Sequence, residues 1–525
     1  MTRQTVLLFC LSVAVIAVYA TAQEQPLGGN RSRSETRPAR QAPRGPQGAF
    51  LTDVPAHPLD IILGRPTSTS VTLSVLYYDD AKAHVAYGTR KDDLAVRTEA
   101  MDVEKGKPRE IILAKLKPDT RYYYQLVDAS SDKPLAEGTF HTQRAPGSSF
   151  TFTLTADSHL DEHTSPDVYR QTLANIQADK PDFHIDLGNL FMTDKRSSRE
   201  EAAGQYLAQR YYLGQIGCLT PIFLALGTHD GESGKDDDGL GDSLAVWSNL
   251  IRKRYFPNPV PDDFYTGNST PNPHCGLLQD YYAWEWGDAL FVVLDPFRFS
   301  IRQRGGRDGW DWSLGQAQYV WLKQTLEQSR AGFKFVFIHN LLSGDQASRG
   351  GVEIAAFNEW GGSNPNGTDG FKQHRPVWEA PVHQLLVRNR VAAVFKAHDN
   401  FYARQELDGI VYQMIPQPSF AGNDRIRDLE AYGYKRGTFL GNSGHVRVTV
   451  SPEKVSVEYV RSYLPKDATP EHPNGEIAFS YYIAASRPAS ARSPTTSNTS
   501  TSGTLSSTFA LFEHPHRPER WFSLA

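Results

Sequence analysis

Between residues 61 and 142 apolar and polar side chains alternate with period two in five short stretches, 70–77, 84–87, 109–113, 122–126 and 138–142, separated by turn-forming residues. Short strands at this spacing predict a small antiparallel β-sandwich over 50–145. From residue 150 the pattern changes. Unbroken apolar runs at 150–155, 183–187, 221–226, 290–294, 333–338 and 391–395 have strand length without alternation, as expected of strands buried on both faces. Stretches 166–179, 200–213 and 316–328 predict helices between them, and 412–415, 445–450 and 454–459 predict late strands that complete a second sheet. This is the grammar of a layered α/β domain, expected over 148–483.

The ends of the chain fall outside both patterns. Residues 1–22 carry Arg3, an apolar stretch of signal-peptide length and the small-residue triplet Ala20-Thr21-Ala22, so they predict a signal peptide and a secreted or periplasmic destination. That stretch is too short to span a bilayer stably, and no later segment is long enough. Residues 23–49 are rich in Arg, Pro, Gly and Ser and predict a disordered linker; residues 484–525 predict a disordered Ser/Thr-rich tail. The net charge of the 525 residues is −4, and six arginines against two glutamates in 1–44 leave the body more acidic still, which argues against a nucleic-acid partner. Beyond the signal segment only Cys218 and Cys275 are present, so a single disulfide is the one covalent staple the chain could form.

In layered α/β folds ligands collect at the carboxyl ends of strands. Those ends carry Asp157-Ser-His159, Gly188-Asn189, Gly227-Thr-His-Asp230, His339-Asn340 and Ala397-His-Asp-Asn400. Their order resembles the calcineurin-like metallophosphoesterases, whose pattern runs Asp-x-His, Gly-Asp, Gly-Asn-His-Asp/Glu, a single His, and Gly-His-x-His. The stretch 116–124, Leu-Lys-Pro-Asp-Thr-Arg-Tyr-Tyr-Tyr, resembles the tyrosine corner of fibronectin type III domains, so the combination resembles the purple acid phosphatase-like branch. The resemblance implies a four-layer α/β/β/α metallophosphoesterase sandwich preceded by an all-β fibronectin-like sandwich. It also implies one or two divalent or trivalent metal ions of the Fe, Zn or Mn type and a phosphate ester or phosphate-like ligand. Asp157 and His159 would hold one metal and His339 and His398 the other, while His229, oriented by Asp230, would assist the leaving oxygen.

Three family positions depart: Asn189 stands where a bridging Asp is expected, Thr228 where an amide ligand is expected and Asn400 where the last His is expected. Asn offers one neutral oxygen where a carboxylate offers two anionic ones, so a dinuclear centre is weakened. Two functions follow from the resemblance: an exported metal-dependent phosphoesterase, or a catalytically degenerate relative that binds a ligand or partner without hydrolysis. Among softer features, Arg349 in the long stretch 341–378 is a candidate phosphate contact. The acidic stretch 231–242 misses the spacing of a calcium loop, and Asn268-Ser-Thr270 and Asn366-Gly-Thr368 match the glycosylation triplet.

Overall fold

The computed structural model describes residues 50–300, 309–344, 348–422, 426 and 429–485. The expected signal peptide and linker, and all of the expected tail beyond Ala485, lie outside the described residues. The period-two stretches form two antiparallel sheets. One orders Leu59–Gly64, Val71–Tyr77 and Arg109–Leu113; in the other Ala81–Gly88 pairs with Val96–Arg97, Met101–Val103 and Arg121–Asp128, and the last of these pairs with Pro134–His141. Alternate residues such as Leu73, Val75, Val85, Leu126 and Phe140 meet in one core, which makes the pair of sheets a sandwich. The Tyr122 hydroxyl accepts the Lys117 backbone N–H at 2.9 Å, tying the turn at 116–120 to the sheet. The sandwich packs on the following domain through Tyr124, whose hydroxyl donates to Cys218 O at 2.8 Å, and Tyr265, whose hydroxyl donates to Pro66 O at 2.5 Å.

Beyond residue 150 two sheets face each other. A six-stranded sheet has Phe150–Thr155 at its centre, with Phe183–Asp186 parallel on one side and Gly444–Val450 antiparallel on the other. An eight-stranded sheet runs Ala289–Val293, Phe333–Ile338, Ala393–Lys396 and Ile410–Met414 in parallel through its middle. Phenylalanines line the space between them: the Phe152 ring lies 5.2–6.2 Å from those of Phe183, Phe291, Phe335, Phe337 and Phe395. The opposite strand faces bury helices. Pro166–Asp179 and Arg199–Gly217 share a core with Ile222 and Leu224, and Gly315–Gln328 and Val382–Arg388 share one with Val292, Val336 and Val394. The result is four layers, α/β/β/α, in which central strands are apolar on both faces because both faces are covered.

One expectation needs correction. The late strands do not complete one second sheet: Gly444–Val450 and Lys454–Arg461 pair back onto Phe150–Thr155, whereas Ile410–Met414 joins the other sheet. Cys218 and Cys275 are both free, Cys218 lying where the sandwich meets the helix end. The two glycosylation triplets differ: the Asn268 amide is buried and donates to Asp280 at 2.9 Å, while Asn366 is exposed. Among the described residues no helix is long and apolar enough to cross a membrane.

Candidate functional site

Each polar cluster follows directly on a strand. Asp157 and His159 come after Phe150–Thr155, Asn189 after Phe183–Asp186, Thr228 and His229 after Ile222–Leu224, His339 after Phe333–Ile338, and His398 and Asn400 after Ala393–Lys396. The turns that carry them are tight. Asp157, His159, Leu160, Asn189, His398 and Asn400 all adopt left-handed backbone, with φ between 48° and 86°, a conformation that costs about 1 kcal/mol or more for a non-glycine residue. Gly188, at φ 94°, and Gly227 lie so close that a Cβ on Gly188 would fall 2.2 Å from Gly227 N and a Cβ on Gly227 would fall 2.0 Å from Asn189 N. Only glycine permits this approach.

Asp157 is the hub. It is fully buried, and its Oδ1 accepts from Asn189 Nδ2 at 2.8 Å and lies 3.3 Å from His159 Nε2 and 3.8 Å from His339 Nε2; its Oδ2 accepts the His398 backbone N–H at 2.9 Å. Burial alone would raise this carboxyl, but its interactions with the His339 and His159 rings and the His398 N–H together hold it well below the usual carboxylate range. His159 sits between Asp157 and Asp161, each at 3.3 Å; burial opposes its protonation, and the two carboxylates overcome burial and push it up to about 9. His339 Nδ1 donates to Leu187 O at 2.7 Å, so its Nε2 carries the lone pair; that atom is buried without a hydrogen-bond partner, and burial pushes the ring down to about 4. Thr228 Oγ1 lies 3.5 Å from His398 Nδ1. The Asn400 Oδ1 is buried without a hydrogen-bond partner.

The proposed acid is held differently from expectation. His229 Nδ1 lies 2.9 Å from Asp194 Oδ1, and Lys235 Nζ donates to the other Asp194 oxygen at 3.1 Å. Asp230, expected to orient His229, instead accepts three backbone N–H groups, from Gly227 at 2.7 Å, Phe191 at 2.9 Å and Asn189 at 3.0 Å. The side chain immediately following His229 points to the opposite side of the turn, so it clamps the loops rather than the imidazole. Asp194 carried a weak signal, an acid in the polar cluster after Phe191-Met192, but nothing in the sequence tied it to His229. Arg349 is likewise engaged: its Nη1 donates to His398 O at 2.5 Å and lies 3.3 Å from Asp399 Oδ1, and its guanidinium stacks over Tyr432. It braces the His398 turn, with a side chain 28% exposed.

These residues do not fit a pair of cations. Asn189 uses both ends of its amide on protein groups, donating to Asp157 and accepting the His229 N–H at 2.9 Å, and that second bond fixes which end is oxygen. Among the described residues no three His, Cys, Asp or Glu side chains form a group able to hold a metal ion. Asp186, three residues before Asn189, is buried and engaged with Thr155 Oγ1 at 2.7 Å and Gly188 N at 2.9 Å; burial pushes it up to about 8, so it is protonated at neutral pH.

No family model matches this chain, and no curated protein does. Solved structures do. A structure of PhoD is similar over 80% of this chain and 88% of its own, at 15% identity and a TM-score of 0.55. The purple acid phosphatase PPD1 from yellow lupin (Lupinus luteus) seeds is similar over 81% of this chain and 74% of its own, at 14% identity and a TM-score of 0.52. Likeness at this identity speaks to architecture alone. The chain has the fold of the calcineurin-like metallophosphoesterases.

Proposed function

We propose that this chain is an exported, catalytically degenerate phosphoesterase relative, which has given up two-metal hydrolysis and keeps the strand-end pocket for a phosphate-like anion. One observation carries the reading: the Asn189 amide donates to Asp157 at 2.8 Å, in the position where the resemblance expects a carboxylate shared between two cations. A carboxylate there would neutralise adjacent dications, whereas an amide satisfies Asp157 directly and brings no charge. Thr228 and Asn400 weaken the same two metal positions. The anion would meet the His229 imidazole and the Thr228 hydroxyl. Arg349 would support that contact through the His398 turn.

A second reading, a metal-dependent phosphoesterase working with one cation, is favoured by the buried, unpartnered Nε2 of His339 facing Asp157 and by the His229–Asp194 pair. In that reading Asp157, His159, His339 and His398 would have to draw closer together to hold an ion of the Fe, Zn or Mn type, which would polarise the phosphoryl oxygens. Metal content and aryl-phosphate hydrolysis of the purified chain, measured beside a variant carrying Asn189→Asp, Thr228→Asn and Asn400→His, decide between them. Counting only metals of the Fe, Zn or Mn type, the degenerate reading expects less than one bound metal and no hydrolysis above background in the natural chain, with both rising in the variant. Two bound metals and turnover equal to the variant's would overturn it; a single metal with measurable turnover would establish the second reading.

A further inference from the structure

A cavity of about 10 Å³, next to the segment that carries His229, is lined by Glu232, Asn249, Asp280 and Asp295 among other residues. Glu232 is already neutralised: Arg252 Nε and Nη2 donate to its two oxygens at 2.5 and 2.9 Å. Asn249 Nδ2 donates to Glu232 Oε2 and to Leu278 O, both at 2.8 Å, so the amide orientation is fixed. Its Oδ1 has no partner in the protein, on a residue 1% exposed. Asp295, also 1% exposed, accepts the Phe297 N–H on Oδ1 at 2.8 Å, while its Oδ2 has no partner. Asp280 is buried too, and its oxygens accept only the Asn268 amide among side chains, at 2.9 and 3.1 Å. Burial raises both carboxyls, and the Asp280 charge helps hold Asp295 up to about 8.

Two buried carboxyl groups beside guanidinium groups already paired elsewhere, Arg252 with Glu232 and Arg298 with Asp237, and two oxygen atoms without partners at one small cavity, are an unusual arrangement: buried polar atoms are nearly always satisfied, and each exception calls for a ligand or a water. The donors are hard oxygens. Cys275 also lines the cavity, but burial raises its thiol pKa, so it stays a neutral and poor ligand. The volume admits one water-sized particle. We propose that Asp280, Asp295 and Asn249 Oδ1 hold a single hard divalent cation of the calcium type, a structural site separate from the strand-end cluster. Calcium takes mixed sets of carboxylate and amide oxygens of this kind. The cation would tie helix Leu244–Tyr255, which carries Asn249, to the segments carrying Asp280 and Asp295, and so brace the 226–232 segment from behind.

Calcium titrated into the metal-stripped full chain tests this, with unfolding temperature and bound metal after desalting as readouts, beside Asp295→Asn and Asp157→Asn. The expected result is a rise in unfolding temperature with one tightly held equivalent in the natural chain and in Asp157→Asn, and neither in Asp295→Asn. Terbium added to the natural chain supplies a readout independent of any variant: its luminescence, sensitised by the neighbouring Tyr281, is expected to appear and to be displaced by calcium. No calcium response and no terbium signal in the natural chain would overturn the proposal and leave a water as the occupant. A response abolished by Asp157→Asn but kept in Asp295→Asn would overturn it by moving the ion to the strand-end cluster.

Discussion

Asp194 and His229 are 35 positions apart in the chain and 2.9 Å apart in the fold, with Lys235 closing the other side of the carboxylate. Burial lowers the proton affinity of His229, and Asp194 partly restores it. Asp194→Asn removes the restoring charge, so the His229 ring should titrate lower than in the natural chain. Histidine ring signals followed by NMR against pH check this. An unchanged or higher titration point would show that Asp194 does not set the imidazole.

Asp230 has a different role. Its buried carboxylate satisfies the N–H groups of Gly227, Asn189 and Phe191 and so locks two loops together. Asp230→Ala leaves three buried donors unpaired and should cost about 3 kcal/mol or more. Asp194→Ala removes a carboxylate that is 13% exposed and meets the side chains of His229 and Lys235, and should cost less, about 1 kcal/mol. Denaturant unfolding of the two variants separates them, and equal losses would contradict the assignment of Asp230 to the scaffold.

The strand-end residues were legible because each follows an apolar run long enough to be a buried strand: Asp157 after Phe150–Thr155 and His339 after Phe333–Ile338 need only strand ends and chain order to be placed on one edge. What was hidden depends on contacts between distant segments. Gly444–Val450 pairs with Phe150–Thr155 across almost 300 residues, and no periodicity within either strand specifies that partner. Asp230 was misassigned because sequence adjacency to His229 says nothing about which side of a glycine-flanked turn a carboxylate faces. The Asn189–Asp157 bond lay between these cases: residue identity announced the loss of charge, and only the fold shows the amide hydrogen-bonded to Asp157.

Asp186 and its neighbour His184 give stability two opposing pH dependences. Asp186 is raised by burial to about 8, so the folded chain holds its proton more tightly than the unfolded chain; the associated stability is complete below about pH 4 and is lost as pH rises toward 8. His184, buried between the hydroxyls of Thr153 and Thr155 at 2.9 Å each, is lowered to about 3, so stability is lost as pH falls from about 6.5 toward 3. Asp186→Asn should remove the alkaline loss. Measured by urea unfolding at pH 5 and pH 8.5, the difference between natural chain and variant should shift in the variant's favour by a few kcal/mol, at about 1.4 kcal/mol per unit of pH titrated. A difference independent of pH would mean that Asp186 is ionised in the fold.

The contact of Gly188 with Gly227 predicts an intolerance that no ligand argument requires. Alanine at 188 meets both a positive φ and a backbone nitrogen 2.2 Å from its Cβ, and that neighbour is backbone of a strand-end turn fixed by Asp230. Gly188→Ala should therefore destabilise by about 3 kcal/mol or more, whereas Gly204→Ala, where a Cβ meets nothing within 4 Å on the helix Arg199–Gly217, should stabilise slightly. Thermal unfolding of the pair checks both signs.

Lys396 and Asp399 brace the His398 turn from below. The Lys396 ammonium is buried and donates to Asp399 Oδ2 at 3.2 Å and Gly350 O at 3.0 Å, while the same carboxylate accepts from the Tyr434 hydroxyl at 2.6 Å and the Gly350 N–H at 3.1 Å. Burial lowers the Lys396 pKa, and Asp399 works against that fall. Asp399→Asn leaves the ammonium without its countercharge and should cost about 3–5 kcal/mol, the range for breaking a buried pair from one side. Lys396→Met should cost less, because Asp399 keeps the hydroxyl and the backbone donor. Since most of the first loss is the stranded charge, the double variant should recover part of it, with a coupling of about 1–3 kcal/mol in a double-mutant cycle. Additive losses would mean that the two side chains do not act as a pair, and that Arg349, which also reaches Asp399, carries the brace alone.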